Sequence, residues 1–82
     1  MIRFTAHALE RMAERGATRN EVEQTIFDGD TVPARHGRIG FRYTFPFNAW
    51  WNGQYYAHKQ LTVYTVEDGE DSIAITVLCR YF

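Results

Sequence analysis

Residues 39–47 read IGFRYTFPF. Large apolar side chains stand at every second position from Ile39 to Phe47, and smaller or polar residues fill the positions between them. Alternation over this length is typical of a β-strand that has one buried and one solvated face. We therefore predict that the chain is built around a sheet.

More strand-like segments flank this stretch. Residues 54–66 and 72–80 are rich in β-branched and aromatic side chains, and the acidic run at 67–71 contains a glycine suited to a hairpin turn. A short strand over 31–34 is expected at a sheet edge, because Pro33 lacks an N–H group. These segments predict four antiparallel strands.

Two helices are predicted before the first of these strands. Thr5 is a suitable cap for a helix that runs to about Arg15, and Gly16 can supply the left-handed residue that ends it. Thr18 and Glu21 fit a capping box for a second helix that ends near residue 27. We predict a single α+β domain over residues 1–82, with both helices packed on one face of a curled, four-stranded antiparallel sheet.

Several classes of protein are disfavoured by the composition. A single cysteine, Cys79, excludes an internal disulfide, and the first residues lack the apolar run of a signal peptide. No segment is apolar enough to span a membrane, so a cytoplasmic protein is expected. The histidines and the cysteine lack metal-ligand spacing, and we predict neither a metal nor another cofactor. Cys79 is expected to face the core as an inert thiol.

The charges are unevenly distributed. All ten carboxylates lie in residues 10–30 and 67–71, whereas residues 31–66 contain four cations and none of the acids.

Strand alternation directs Ile73, Ile75, Val77 and Cys79 to the helices and Ala74 to the opposite face. That face is predicted to carry cations, an imidazole, hydroxyls and an amide, but no carboxylate: Arg42, Thr44, His58, Gln60, Thr62, Tyr64, Thr76 and Arg80. An ordinary solvated sheet face is the alternative explanation.

Two further clusters have both a functional and a structural interpretation. His7, Arg11 and Arg15 form one stripe on the first helix, where they either contact a ligand or are solvated beside glutamates. Trp50 and Trp51 lie in a predicted loop over residues 48–53. They either stack on bases or a partner, or form a lid that packs on the sheet edge.

Metal-independent RNA cleavage is compatible with these residues. The 2′-OH of RNA is the nucleophile, so the protein needs only proton-transfer groups and cations around the phosphate. The candidate catalytic residues are His7, Arg11, Arg42, His58 and Arg80, and Thr76 joins them through the family resemblance given next. The candidate RNA-binding residues are Arg15, Arg35, Arg38, Lys59, Tyr64, Trp50 and Trp51.

The start of the chain resembles a small bacterial family, domain of unknown function 4258. The resemblance rests on residues 7–16, HALERMAERG, on Thr18, Glu21 and Val22, and on a final strand, residues 73–77, similar to the family's IVITVY. The family is grouped with the RelE/barnase/EndoU-like fold, which implies a ribonuclease toxin that binds RNA on the concave sheet face. The resemblance also implies His7, Arg11 and Thr76 as marked polar residues, with Arg15 less well matched.

Two classes of function remain open. The first is a toxin-type endoribonuclease that acts on RNA, including ribosome-bound mRNA, with an antitoxin protein as partner. The second is a non-catalytic RNA-, DNA- or protein-binding module, including an antitoxin-like or immunity protein. A helix-turn-helix is disfavoured, because Glu21 and Glu23 would meet phosphates on the recognition helix.

Overall fold

The computed structural model describes residues 1–82. The order of elements is β1 (Ile2–Phe4), α1 (Ala6–Arg15), α2 (Arg19–Asp28), β2 (Asp30–Val32), β3 (Ile39–Trp51), β4 (Gln54–Asp68) and β5 (Asp71–Tyr81). The strands form one sheet in the order β1-β5-β4-β3-β2. Neither of the two ten-residue helices is long and apolar enough to cross a membrane.

The predicted four-stranded antiparallel sheet is wrong, because the sheet has five strands and is mixed. β2 to β5 form an antiparallel meander, and β1 adds to the far side of β5 in parallel, with Arg3 opposite Ile73. A three-residue strand is too short to show the alternation on which a sequence-based prediction depends. The edge position of the short second strand, next to Pro33, is as predicted.

The helix ends follow the capping residues in the sequence. Thr5 Oγ1 accepts a hydrogen bond from the Ala8 amide. Gly16 ends α1 with a φ of 75°, a left-handed conformation that glycine adopts without strain. The capping box of α2 is complete, since Thr18 and Glu21 each accept a bond from the other's backbone N–H. α2 ends one residue later than expected, at Asp28.

The core lies between the helices and the central strands. It consists of apolar side chains from the two helices, the turn between them, β4 and β5: Ala8, Met12, Ala17, Val22, Leu61, Val63, Ala74 and Val77. Phe4, Ile26, Phe45 and Cys79 pack against it. The predicted core-facing position of Cys79 is thereby confirmed.

A β-bulge changes which side chains of β5 face this core. Tyr64 pairs with Thr76, but Thr65 pairs with Ala74, so Ile75 has no partner in β4. One extra residue reverses the alternation on one side of the bulge. Ala74 is therefore fully buried beneath the helices, and the prediction that it shares a face with Thr76 is wrong. Ile73, predicted to face the helices, has the opposite orientation.

The predicted loop over residues 48–53 is also wrong, because these residues form the tip of a long β-hairpin. β3 and β4 stay paired as far as Trp51 and Gln54. Asn52 and Gly53 have φ values of 49° and 80°, as a two-residue type I′ turn requires. Asn48, also at positive φ, lies at a register shift in β3. The hairpin therefore extends beyond the end of β5 as a two-stranded ribbon.

Candidate nucleic-acid interface

The sheet face opposite the helices, called here the open face, is organised in rows that cross three strands. Directly opposite residues of neighbouring strands share a face. The rows, in β3-β4-β5 order, are Gly40/Tyr64/Thr76, Arg42/Thr62/Leu78, Thr44/Gln60/Arg80 and Pro46/His58/Phe82. The prediction that these polar and cationic residues share one face is confirmed by the register.

A pocket of about 360 Å³ lies at one end of the open face. It is lined by residues from the β2–β3 connection and from β4 and β5: Pro33, Arg35, His36, Arg38, Tyr64 and Thr76. Residues that carry two guanidinium groups, an imidazole, a phenol and a hydroxyl therefore line one open concavity, and none of its lining residues carries a carboxylate. Such a set of donors suits a phosphate group.

A tight turn positions the cationic side of this pocket. The Arg38 amide donates a hydrogen bond to the Arg35 carbonyl, and both central residues have positive φ, His36 at 58° and Gly37 at 73°. This is the geometry of a type I′ turn, in which the chain reverses its direction within four residues. The turn therefore places Arg35 and Arg38 on either side of His36.

Gly40 leaves the space that the Tyr64 ring occupies beside the pocket. A Cβ atom at Gly40 would come within 2.7 Å of Val32 Cγ2 and 3.0 Å of Tyr64 Cε1. Glycine therefore allows the Tyr64 ring to lie across β3 and to line the cavity next to the turn.

Hydrogen bonds between side chains order the middle of the open face. Arg42 Nε donates to Thr62 Oγ1 at 3.0 Å, and Gln60 Nε2 donates to Thr44 Oγ1 at 3.0 Å. The Arg42 guanidinium is held along the sheet surface by this bond, and its remaining N–H groups are available to a ligand.

Aromatic rings occupy the end of the open face that is far from the pocket. The His58 and Phe82 rings stack with centroids 5.0 Å apart, and the Arg80 guanidinium lies 4.8 Å from the Phe82 centroid. Farther along the hairpin, Trp50 and Tyr55 face each other across the strands in an edge-to-face contact at 6.1 Å. Trp50 is 70% exposed. Exposed rings beside cations are typical of surfaces that stack unpaired bases.

The arginines of the open face have no carboxylate partner. The ion pairs of the chain involve the Met1 amino group, Arg3, Arg11 and Lys59. Arg35, Arg38, Arg42 and Arg80 form none. One correction applies to the predicted absence of carboxylates, because Asp30 lies opposite Arg42 in the register of β2 and β3. It borders the face at its edge and forms no ion pair with Arg42.

The structure separates the helix residues from the open face. His7 and Arg11 lie on α1, which packs over β5 on the other side of the sheet, and Arg11 pairs with Glu14 at 3.2 Å. Arg15 Nη1 donates to the Val77 carbonyl at 2.9 Å. These three candidates therefore do not join Arg42, Thr76 and Arg80 at one site.

Lys59 and Trp51 also belong to the helix side. Lys59 is buried, pairs with Glu21 at 2.8 Å and donates to the Gly16 carbonyl. The Trp51 ring stacks on Tyr81 at 5.1 Å. Both residues therefore have structural partners on the helix side, where Lys59 is buried and Trp51 is half-buried. Beyond the register shift in β3, Trp51 and Tyr56 both contact Tyr81 on the helix side, so their neighbours Trp50 and Tyr55 point to the opposite side of the hairpin, the side of the open face.

Burial perturbs two groups on the helix side. It raises the pKa of the Cys79 thiol, against a smaller opposing effect of its hydrogen bond with Tyr81. Burial, with a contribution from the hydrogen bond with Cys79, also raises the pKa of the Tyr81 phenol well above its ordinary value. Tyr81 OH donates to the Arg15 carbonyl at 2.6 Å. Both groups are therefore protonated at neutral pH. No group of three or more potential metal ligands occurs in the chain.

Comparison with protein families adds one finding to this geometry. The model of the family described as "Domain of unknown function (DUF4258)" matches residues 4–79. The chain belongs to the DUF4258 family. No curated protein and no solved structure matches it. The match covers the helices and the open face of this DUF4258 domain, except the Arg80 and Phe82 positions.

His36 is the pocket residue that the sequence analysis did not select. Its signal is the dipeptide His36-Gly37 between two arginines, because a histidine followed by glycine readily forms a turn with positive φ. Of the predicted residues, Arg35, Arg38, Tyr64 and Thr76 meet His36 at the pocket. Arg42 lies one row away, and His58 lies six residues from Tyr64 along β4, about 20 Å at 3.3 Å per residue.

Proposed function

We propose that this chain binds single-stranded RNA on its open face and cleaves it at the pocket without a metal ion. The observation that carries the proposal is the pocket itself, where Arg35, His36 and Arg38 meet Tyr64 and Thr76. The RelE/barnase/EndoU-like grouping, a toxin role and a cytoplasmic location belong to the same proposal.

The proposed reaction is an intramolecular transfer at phosphorus. His36 accepts the proton of the 2′-OH, whose oxygen forms a bond to the phosphorus atom while the bond to the 5′-oxygen breaks. The leaving oxygen takes a proton from the Tyr64 hydroxyl or from water. Arg35 and Arg38 bind the non-bridging oxygens and stabilise the negative charge that grows on them. The products are a 2′,3′-cyclic phosphate and a 5′-hydroxyl.

Cleavage is tested with a labelled 12-nucleotide RNA in the presence of EDTA. We expect fragments that end in a 2′,3′-cyclic phosphate, and no cleavage of the DNA of the same sequence, because DNA lacks the nucleophile. His36→Gln should lower kcat by a factor of about 10²–10⁴, the usual contribution of general base catalysis. His7→Gln is the matched control, since it removes an exposed imidazole from α1, on the other side of the sheet. Equal activity of both variants would refute the role of His36.

Ribosome-bound mRNA and an antitoxin are further parts of the toxin proposal. If free RNA stays intact, the same assay with translating ribosomes tests a ribosome-dependent enzyme. A cognate antitoxin would cover the open face, so it should protect Arg42 and Tyr64 from chemical footprinting. Intact RNA in both assays and harmless overexpression would contradict the enzymatic proposal.

A non-catalytic RNA-binding module is the second candidate. It is favoured by the aromatic rings at the far end of the open face, which lie where no proton transfer at the pocket needs them. Binding is measured by fluorescence anisotropy with uncleavable RNA. If the four unpaired arginines each neutralise one phosphate, log K should fall with log salt with a slope of about −2.8, or about 50-fold between 50 and 200 mM salt. A slope near zero would exclude RNA binding by this face.

A further inference from the structure

The open face has two chemically different ends. The pocket with its two arginines occupies one end, and the exposed Trp50–Tyr55 pair occupies the other. Nine residues of β4 separate Tyr64 from Tyr55, which corresponds to about 30 Å at 3.3 Å per residue. The two ends are therefore too far apart to contact the same nucleotide.

The Trp50 and Tyr55 rings at the tip of the β3–β4 hairpin are held in position but stay exposed to solvent. Asn48 Oδ1 accepts a hydrogen bond from Tyr55 OH at 3.4 Å, and the Asn52-Gly53 turn closes the hairpin directly beyond the pair. On the other side of the hairpin, Trp51 stacks on Tyr81 and anchors the ribbon to the body of the domain. Trp50 thus presents a large ring to solvent from a fixed backbone.

The surroundings of the pair favour a nucleobase as its ligand. On the other side of the register shift in β3, the Pro46/His58/Phe82 row carries the stacked His58 and Phe82 rings, and the Arg80 guanidinium lies beside Phe82. No carboxylate occurs between residues 31 and 66, the segment that contains the tip. Consecutive rings with neighbouring cations and no anion suit the bases and phosphates of a single strand.

We propose that Trp50 and Tyr55 form a base-stacking anchor and that the open face measures the length of its ligand. A strand held in the pocket reaches the anchor only if it extends about 30 Å, which is about nine nucleotides at the 3.4 Å spacing of a stacked strand, or fewer if it is stretched. A duplex has no free ring faces to offer the anchor. The substrate class is therefore single-stranded RNA beyond a minimum length. This inference rests on the proposed function, because it assigns the distal part of the same surface.

The test measures binding as a function of length and does not depend on cleavage. Labelled 2′-O-methyl RNAs of 4 to 14 nucleotides are titrated with the wild type and with Trp50→Ala. Affinity of the wild type should rise until about nine nucleotides and then level off. Trp50→Ala should weaken binding of the 12-mer about 5- to 150-fold, the range for loss of one stacked base, while the shortest RNAs bound at the pocket change little.

Phe27→Ala provides the matched control. Phe27 is 76% exposed, but it lies on α2, away from the open face. This variant should bind every RNA as the wild type does. Because Trp50 is largely exposed, its replacement should leave Tm nearly unchanged, which a thermal melt checks.

Each remaining outcome overturns a defined part of the scheme. If RNA binds but Trp50→Ala shows the length dependence of the wild type, the anchor is refuted and the proposed function survives. If no RNA of any length binds, the proposed function fails together with the anchor. A third outcome is that the sedimentation coefficient of the wild type rises with protein concentration and that of Trp50→Ala does not. The hairpin tip is then a surface for self-association, and the anchor is refuted.

Discussion

The ion pair between Lys59 and Glu21 provides a sharp test of what holds this small domain together. The Lys59 side chain is 5% exposed and that of Glu21 is 23% exposed. Lys59 Nζ lies 2.8 Å from Glu21 Oε1, donates to the Gly16 carbonyl, and lies within 6 Å of the Phe47 and Tyr81 ring centroids. One ammonium group therefore joins the turn between α1 and α2 to β3, β4 and β5.

The cost of replacing Lys59 by Met follows from these contacts. Methionine fills most of the volume, so the loss is mainly electrostatic. Removal of one partner of a buried pair costs about 3–5 kcal/mol, because it leaves the other charge without compensation. Water reaches part of Glu21, so we expect about 2–3 kcal/mol for Lys59→Met. For a domain of this size, that corresponds to a decrease in Tm of roughly 8–24 °C.

Glu21→Gln separates charge from hydrogen bonding. The glutamine oxygen can still accept from the Thr18 amide, as in other capping boxes, so the change removes the charge and keeps the cap. It leaves the ammonium buried and unpaired, and we expect a loss of about 3 kcal/mol. The loss in free energy of unfolding of the double variant should be smaller than the sum of the two single losses by at least about 1.5 kcal/mol. The reason is that substitutions at two residues in contact are not additive.

Urea denaturation of the four proteins, followed by circular dichroism, measures these free energies. Arg11→Met is the matched control, because Arg11 forms an exposed pair with Glu14 that should contribute less than about 1 kcal/mol. A change in Tm below about 3 °C for Lys59→Met, or additive losses in the double variant, would refute this account of the pair.

Two further predictions concern stability at high pH and the packing of the pocket. The pKa values of Cys79 and Tyr81 are raised in the folded state. In alkaline solution, the unfolded chain therefore releases protons from these two groups that the folded chain keeps. The free energy of unfolding should therefore fall as pH rises above about 8.5, the value for an unfolded cysteine, and more steeply above about 10. Cys79→Val should flatten the first part of this decline in melts between pH 7 and 11; an unchanged profile would contradict burial as its cause. Gly40→Ala should lower the free energy of unfolding by about 1–3 kcal/mol, because its Cβ meets Val32 and the Tyr64 ring. It should also reduce cleavage more than Val22→Ala, which removes apolar volume from the core on the helix side, when both variants are assayed at a temperature at which they are folded. Equal activities would show that the Tyr64 position is irrelevant.

Local signals in the sequence predicted most of the secondary structure. The caps at Thr5 and Thr18 and the glycine at position 16 fixed the helices, because each satisfies backbone groups within a few residues. Alternation identified the three long strands. β1 was missed because its pairing with Ser72–Ala74 depends on residues about 70 positions away. A segment of three residues is too short to show the hydrophobic alternation that would identify it as a strand.

The bulge at Ile75 shows a second limit. In the sequence, residues 73–79 alternate without interruption, and nothing in their side chains marks an unpaired position. The bulge turns the small Ala74 side chain towards the helices, where it is fully buried. Such tertiary fit overrides the strict period of two.

The candidate site was predictable in part for the same reasons. Residues within β3 and β4, such as Arg42 and Tyr64, were placed on the correct face because their strands are regular between the bulges. The stripe of His7 and Arg11 was assigned to the site by residue type and helical spacing and by the family resemblance, although α1 lies on the other side of the sheet. His36 was not selected because its role depends on how a six-residue connection folds over Tyr64 and Thr76.

The parallel pairing of β1 with β5 has a consequence for biosynthesis. The Ser72 amide donates to the Met1 carbonyl, and the Thr5 amide donates to the Ala74 carbonyl. β1 thus acquires its partner only after about 70 further residues have been translated. At 5–20 residues per second, this delay is roughly 4–15 s, during which the nascent chain cannot close its sheet. The parallel edge of the sheet is therefore the part whose two strands are made farthest apart in time.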